Sequence, residues 1–539
     1  MQHVFQALLW AAAIAIVLLH RRSKLRERTV VASLGIVAVL AGSLVGWGRF
    51  HGDGRFLHHH ELFNYTIGSK YFPELGYDGL YLATHRALVE SDDSFRERVS
   101  VVKNLRTYQF EGSDVSMERS NAVASLFTEE RWREFRDDVG FFRTVIPDEE
   151  WRFLLIDHGF NATPLWTAMG SLFLANLDLS DGLLLLVALI DPCLLAAMVF
   201  LLWRAFGPPT ALLFTIFFLA NSFGTFEFTG GAFLRNVWVL SLVACICFWK
   251  QGRMGAAGCA LAVAVLDRVF PLLFVLLPAV LFVRESLRRR SLRHEWTRFL
   301  ASFAAAVVLL GGLSAAATGG ADGMGAWVDC YDNITAHSRW FFTNQISLRN
   351  LFLVDPRTSY ELAFSGWDES LWLRERESLD ALTRGSLFAV RASLLALLVA
   401  LMAKEERPFA SLGLLSFAPF LLLYPAGYYL VFLLPVIVLW ESSLGLALAL
   451  MALQVPFWLL RVGSARGASP LDRLARPAVR VRRLPDRRPG AKRTRLPGLS
   501  EVRGGHPRRR GPRRRRRRDG GCALNPDDGG RRRPGPDAA

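Results

Sequence analysis

The chain is 539 residues long, 52% hydrophobic, with a mean hydropathy of +0.25; this excludes an ordinary string of soluble domains and points to repeated membrane crossings. Its net charge of +16 is no general nucleic-acid signature, because residues 471–539 alone carry 23 Lys and Arg against 7 Asp and Glu, an excess equal to the whole chain's. Of the six cysteines, Cys193, Cys245, Cys247 and Cys259 lie in apolar runs, Cys330 in a polar loop and Cys522 near the end, which gives neither a disulfide framework nor a zinc spacing.

Apolar runs fall at 4–20, 30–47, 182–203, 209–222, 232–249, 255–283, 297–318, 386–403, 408–424, 427–441 and 443–461. Lipid offers the backbone no hydrogen-bond partner, so each is expected as a helix and the fold as an all-α, polytopic transmembrane bundle. The first run lacks a basic leader and a small-residue cleavage site and reads as a span. Residues 1–29 are therefore an N-terminal span with a basic loop, 30–461 the membrane domain, and 462–539 an Arg/Pro/Gly-rich tail that cannot build a core. That tail is either a tether for anionic lipid or nucleic acid or an out-of-frame reading of the gene's 3′ end. The basic loops HRRSKLRER, KQGRM, RESLRRRSLRHEWTR and AKEERP mark the cytoplasmic side. Loops 48–160 and 319–385 then share the opposite face. Within 256–283, Asp267-Arg268-Val269-Phe270-Pro271 predicts a break into two short helices forming a hairpin, its charged corner turned to that opposite face.

Candidate chemistry begins directly after the 30–47 run, at His58-His59-His60-Glu61. Helical spacing puts Glu61, Tyr65 and Gly68 on one face, an acid beside an aromatic ring and a gap. Glu61 could take a proton from an acceptor hydroxyl or be a solvated loop acid. Adjacent histidines diverge, so at most two could share a metal ion, and a substrate contact by His60 fits better. The stretches SFRERVSVVKNLRTYQF and ERWREFRDDVGFFRTVI predict amphipathic helices on the membrane surface. Asp157, His158 and Asn161 lead into Pro164 and a short apolar helix, 165–177, whose start could hold an anion on its free N–H groups or be a plain cap. Asn64, Asn161 and Asn333 fit glycosylation sequons. Asp191, Arg235 and Asp267-Arg268 sit in or beside apolar runs, where ionisable groups pair with one another or line a polar cavity. Arg235, next to Asn236, and Arg268 suit a lipid phosphate, since a guanidinium presents paired donors to its oxygens. Finally, His337, Asn344, Gln345 and Arg349 gather cations and amides apt for a phosphate and sugar hydroxyls, or belong to an interfacial helix anchored by Trp340, Phe341 and Phe342.

Taken in order, these stretches resemble the membrane-embedded GT-C superfamily of glycosyltransferases, in particular polyprenyl-phosphate-mannose-dependent mannosyltransferases of the mycobacterial phosphatidylinositol-mannoside type. Glu61, Tyr65, Gly68 and Leu80-Tyr81 match the acid, tyrosine, small residue and Leu-Tyr of that family's first external loop, although the family's acid is usually Asp. Asn161-Ala162-Thr163-Pro164 is similar to its entry into a short apolar helix, Gly231 to Asn236 to its Gly-Gln-x-Asn helix start, and Arg268-Val269-Phe270-Pro271 to its Lys-x-x-Pro corner. Asn344-Gln345-Ile346-Ser347 and Gly427-Tyr428-Tyr429-Leu430 match later motifs, so the likeness covers roughly residues 30–460. The resemblance implies an inverting transferase on the outer face of a bacterial inner membrane that moves a mannose-like sugar from a polyprenyl phosphate to a lipid or glycan acceptor. It would use Glu61 as base, His337 with Arg235, Arg268 or Arg349 against the leaving phosphate, and Asp157 and Asn161 on sugar hydroxyls. Fixed cations could neutralise that phosphate without a metal or other cofactor, and no nucleic-acid partner is expected. A transporter or flippase of lipid-linked glycans, which would need a charged path at mid-membrane, and an inactive scaffold are the alternatives.

Overall fold

In the computed structural model, contacts divide the chain into Met1–Ala478 and Val479–Ala539. The structure describes residues 2–23, 25–45, 56–221, 229–290, 294–319, 324–339, 341, 345–353, 369–405, 408–425 and 427–433, with the isolated positions 437, 438, 440 and 445. The tail, the run 443–461 apart from position 445, Trp340, Phe342 and Asn344 lie outside the described residues.

The fold is all-α, and five helices are long and apolar enough to cross a membrane: Val4–Arg22, Asp181–Phe206, Phe270–Arg288, Glu295–Thr318 and Trp372–Lys404. Shorter apolar helices fill the bundle, among them Pro164–Leu174, Pro208–Ala220, Val237–Lys250 and Met254–Asp267. The chain is thus a multi-pass membrane protein. Its helix boundaries have local causes. Gly207, at φ +86°, ends one helix in a conformation that side chains disfavour, and Pro208 and Pro209 open the next, where their missing N–H groups cost nothing. The run 256–283 does break as expected. The first half ends at Asp267 with Arg268 extended, Pro271 follows inside a 3-10 turn, and the chain resumes as Leu276–Arg289. The two halves share His294–Thr318 as a neighbour and otherwise pack on different helices. Met254–Asp267 lies along Val237–Lys250 and His294–Thr318, whereas Leu276–Arg289 packs on His294–Thr318 and Glu369–Lys404. Gly258 permits the contact of Met254–Asp267 with His294–Thr318, for a Cβ there would collide with the Phe299 carbonyl.

A second apolar core, separate from that of the bundle, forms around residues 62–190 and takes in Phe233, Leu234, Ala326 and Cys330. This module rests on the helix His59–Lys70. Lys70, its side chain fully buried, holds Glu134 at 2.9 Å, Asp138 at 2.8 Å and the Leu177 carbonyl at 2.8 Å. Tyr71 also donates to Asp138, and Arg131 spans Glu74 and Glu134. Such a cluster of paired charges fixes register, whereas losing one member would leave a buried charge. It clamps the helix Glu129–Val145 across His59–Lys70. The expected surface helices are corrected accordingly: Phe135, Val139 and Phe142 of Glu129–Val145 bury into the module rather than facing lipid. The earlier stretch becomes a short turn of helix, Phe95–Arg98, and a two-stranded ribbon pairing Val101–Lys103 with Phe110–Gly112.

Candidate functional site

The charged groups that the sequence leaves beside apolar runs gather where several helix ends meet the module. Asp191, at the start of Ile190–Phe206, is fully buried and accepts the backbone N–H groups of Arg235 (3.2 Å) and Asn236 (3.1 Å). That fixes the chain just before Val237–Lys250, where Leu234 is held in the left-handed region at φ +50°, a conformation costing on the order of 1–3 kcal/mol. The Trp166 indole retains it by donating to the Leu234 carbonyl at 3.2 Å. The Arg235 side chain is thereby aimed back at the module, with Nη1 3.3 Å from Glu61 Oε2 and 3.1 Å from the Tyr65 hydroxyl. Tyr65 in turn donates to Asn161 Oδ1 at 2.7 Å.

Arg268 completes this inner cluster from the end of Met254–Asp267. It is only 8% exposed, and its guanidinium makes no hydrogen bond or ion pair among the described residues; Tyr65, Tyr429, Arg235 and Asp267 are the groups that face it. Asp267 beside it is fully buried, its carboxylate facing the Trp238 backbone N–H. Two guanidiniums, a tyrosine hydroxyl and a partly accessible carboxylate therefore converge in a low-dielectric setting, where an incoming anion would be held strongly.

Just outside lies a second cluster of imidazoles around one carboxylate. His60 Nε2 sits 3.0 Å from Asp157 Oδ2, and His158 Nε2 3.6 Å from Asp157 Oδ1. The His158 ring meets His337 edge to face at 5.4 Å, and His337 meets Tyr108 at 5.5 Å. Burial opposes charge on His60, but the bond to Asp157 and the attraction of Asp157 and Glu61 outweigh it and raise its pKa. Burial likewise opposes the Asp157 carboxylate; His158, His60 and Lys103 overcome it and hold the carboxyl far below the usual range. Burial, aided by His158 and Lys103 and opposed by Asp157, pushes the pKa of His337 down to about 3.

Several sequence expectations are met here and others are corrected. Glu61, Tyr65, Asn161, Arg235 and Arg268 come together, as do His60, Asp157, His158 and His337. Burial favours the uncharged form of His337, which suits it to hydroxyls more than to a leaving phosphate. Arg349 does not join either cluster: it is buried, paired with Asp380 at 3.0 Å and packed against Phe341 and Tyr424. Gln345 is buried in the same region, its carbonyl bonded by Asn350. The side chain of Asn236 is buried, while its backbone serves Asp191. Thr163 caps Pro164–Leu174 by accepting from Trp166 N at 3.3 Å, which takes up part of the anion-binding capacity expected of that helix start. The gap expected at Gly68 is filled by the Phe160 ring. Asn64 and Asn333 are buried, Asn333 accepting from the Tyr108 hydroxyl, so neither is open to glycosylation in the folded chain. His58 was read only as part of a triplet; it caps its helix, Nδ1 accepting from Glu61 N at 2.9 Å. Lys103 and Tyr108 were missed, because nothing local marks a lysine in a short ribbon as facing a carboxylate far along the chain.

No protein-family model, curated protein or solved structure matches this chain.

Proposed function

We propose that the protein is an inverting glycosyltransferase that moves a mannose-like sugar from a polyprenyl phosphate donor to a hydroxyl of a lipid or glycan acceptor, at the extracytoplasmic face of a bacterial cell membrane. The observation that carries this reading is Arg268, a buried guanidinium without a partner among the described residues, set with Arg235 beside Glu61. Glu61 takes the acceptor proton, the acceptor oxygen forms its bond to the anomeric carbon, and the carbon–oxygen bond to phosphate breaks on the opposite side. The phosphate departs with its electron pair toward Arg235 and Arg268, where fixed donors stabilise charge as it develops. Asn161 and the imidazoles of His158 and His337 are suited to sugar hydroxyls. The charged groups cluster at helix ends on one side, which supports transfer at a surface over passage through mid-membrane.

The test is transfer of label from a radiolabelled polyprenyl-phosphate sugar to a membrane-lipid extract by purified protein. Glu61→Gln is expected to lower turnover by about 10²–10⁴-fold with unchanged expression, and Arg268→Gln to slow the same step. Near-normal turnover of Glu61→Gln beside an inert Asp157→Asn would move the base to Asp157. Movement of lipid-linked glycan across proteoliposomes without transfer would replace the enzyme by a transporter.

A further inference from the structure

A second cationic pocket lies away from Glu61, where Leu348–Phe352 meets the long helix Glu369–Lys404. The apolar part of that helix begins near Ser386, and Arg391 sits inside it, about 10 Å of helix beyond exposed Arg384. A guanidinium at that depth is within snorkelling reach of the headgroup layer. Its position is nevertheless unusual, because Nε and Nη2 of Arg391 are shut off from solvent and have no hydrogen-bond partner among the described residues. Arg349 and Arg391 both lie over the Tyr424 ring, at 5.1 and 5.7 Å. The carboxylate facing them among the described residues is Asp380, already engaged by Arg349 at 3.0 Å and Arg384 at 3.3 Å. Three guanidiniums thus face one acid. A buried cation in that balance calls for an anion, and planar paired donors fit the tetrahedral oxygens of a phosphate.

We infer that Arg391, with Arg349 and the Tyr424 hydroxyl, binds a phosphate group at the membrane boundary, separate from the site at Arg235 and Arg268. The exposed ring of Phe388, one turn before Arg391 on the same helix, offers apolar surface for acyl chains next to it. Two phosphate sites on one protein are what transfer between two lipid-borne partners requires. That last clause rests on the function proposed above; the binding itself does not.

The experiment is native mass spectrometry of the full chain released from micelles and titrated with phosphatidic acid, phosphatidylcholine or inorganic phosphate. Wild-type protein should retain two phosphatidic acid molecules. Arg391→Gln should lose one of them, with roughly tenfold or greater weakening, the scale of a lost charge-assisted bond. Arg268→Gln should remove the other. Arg391→Lys, which keeps the charge without the fork, should weaken binding less and guards against misfolding, and exposed Arg133→Gln on Glu129–Val145 should leave both bound. Competition by inorganic phosphate would identify the phosphate alone as the ligand; retention of only the lipid would assign the site to a headgroup with its chains. Arg391→Gln binding as wild type does, or equal retention of phosphatidylcholine, overturns the inference. If only Arg268→Gln is without effect, the glycosyltransferase reading suffers and this site stands.

Discussion

Two histidines of the module, His60 and His85, experience the same kind of burial and answer it differently, according to what stands beside each imidazole. His60 gains Asp157, so its pKa rises while that of Asp157 falls. Their pairing is at full strength above the ordinary aspartate value of 3.8 and below the ordinary histidine value of 6.5. It is lost as pH climbs through the raised His60 value or drops through the lowered Asp157 value. His85 gains no acid. It is completely buried, with Nδ1 3.1 Å from Ser116 Oγ and Nε2 3.3 Å from Ser113 Oγ, and burial, with Arg96 adding to it, lowers its pKa to about 4. The unfolded chain therefore takes up a proton near pH 6.5 that the folded chain refuses until near pH 4. Stability must fall with acidity across that window, by about 2 kcal/mol at roughly pH 5 for this group alone. Thermal unfolding of the solubilised protein should show the loss, and His85→Gln should flatten it while lowering stability at neutral pH. An unchanged acid slope in that variant would assign the sensitivity elsewhere. Of these roles the sequence displays the residue types but not their partners, since Asp157 is 97 residues from His60.

At the scale of elements, the spacing of Glu61, Tyr65 and Gly68 was readable because a helix imposes it, and His59–Lys70 is that helix. What fills the space over Gly68 was not readable, because Phe160 arrives from a turn made possible by Gly159 at φ +63°. A Cβ on Gly68 would fall 2.5 Å from Phe160 Cγ. Phe160 has little freedom to retreat, being 1% exposed and packed against Tyr65 at 5.7 Å, Phe72 at 5.8 Å and Trp166 at 5.9 Å. Gly68→Ala should therefore cost about 1–3 kcal/mol and push Tyr65 away from Asn161. Adding Phe160→Leu should recover part of the stability, because the smaller side chain makes room for the methyl group. Denaturation of the single and double variants measures the coupling, and strict additivity would deny the contact. The same limit explains the amphipathic helix Glu129–Val145. Its apolar stripe was legible, whereas the choice between lipid and protein as the surface it covers depends on Lys70, Glu134 and Asp138 meeting across separate elements.

For the molecule as a whole, basic segments and the candidate site occupy opposite ends of the same helices. Met254–Asp267 begins after Arg253 and ends at Asp267 beside Arg268, a rise of about 20 Å. At the basic end, Arg284 donates to the Glu405 carbonyl, joining two loops assigned to the cytoplasm by their charge. At the other end, segments more than 150 residues apart meet: Tyr108 donates to Asn333 at 3.1 Å, and the rings of His158 and His337 are 5.4 Å apart. Hydropathy and the positive-inside pattern gave sidedness, and sidedness alone put loops 48–160 and 319–385 on one face; their direct contact needed the three-dimensional packing. That contact can be tested in cysteine-substituted protein. With the native cysteines replaced, His158→Cys and His337→Cys together should be joined by a short bifunctional thiol reagent, and cleavage between them should leave the fragments linked. A membrane-impermeant thiol reagent should reach both positions from the same side of intact cells. Labelling from opposite sides would leave the imidazoles unable to share a sugar with Glu61, and both the transfer mechanism and the module's closed form would have to be abandoned together.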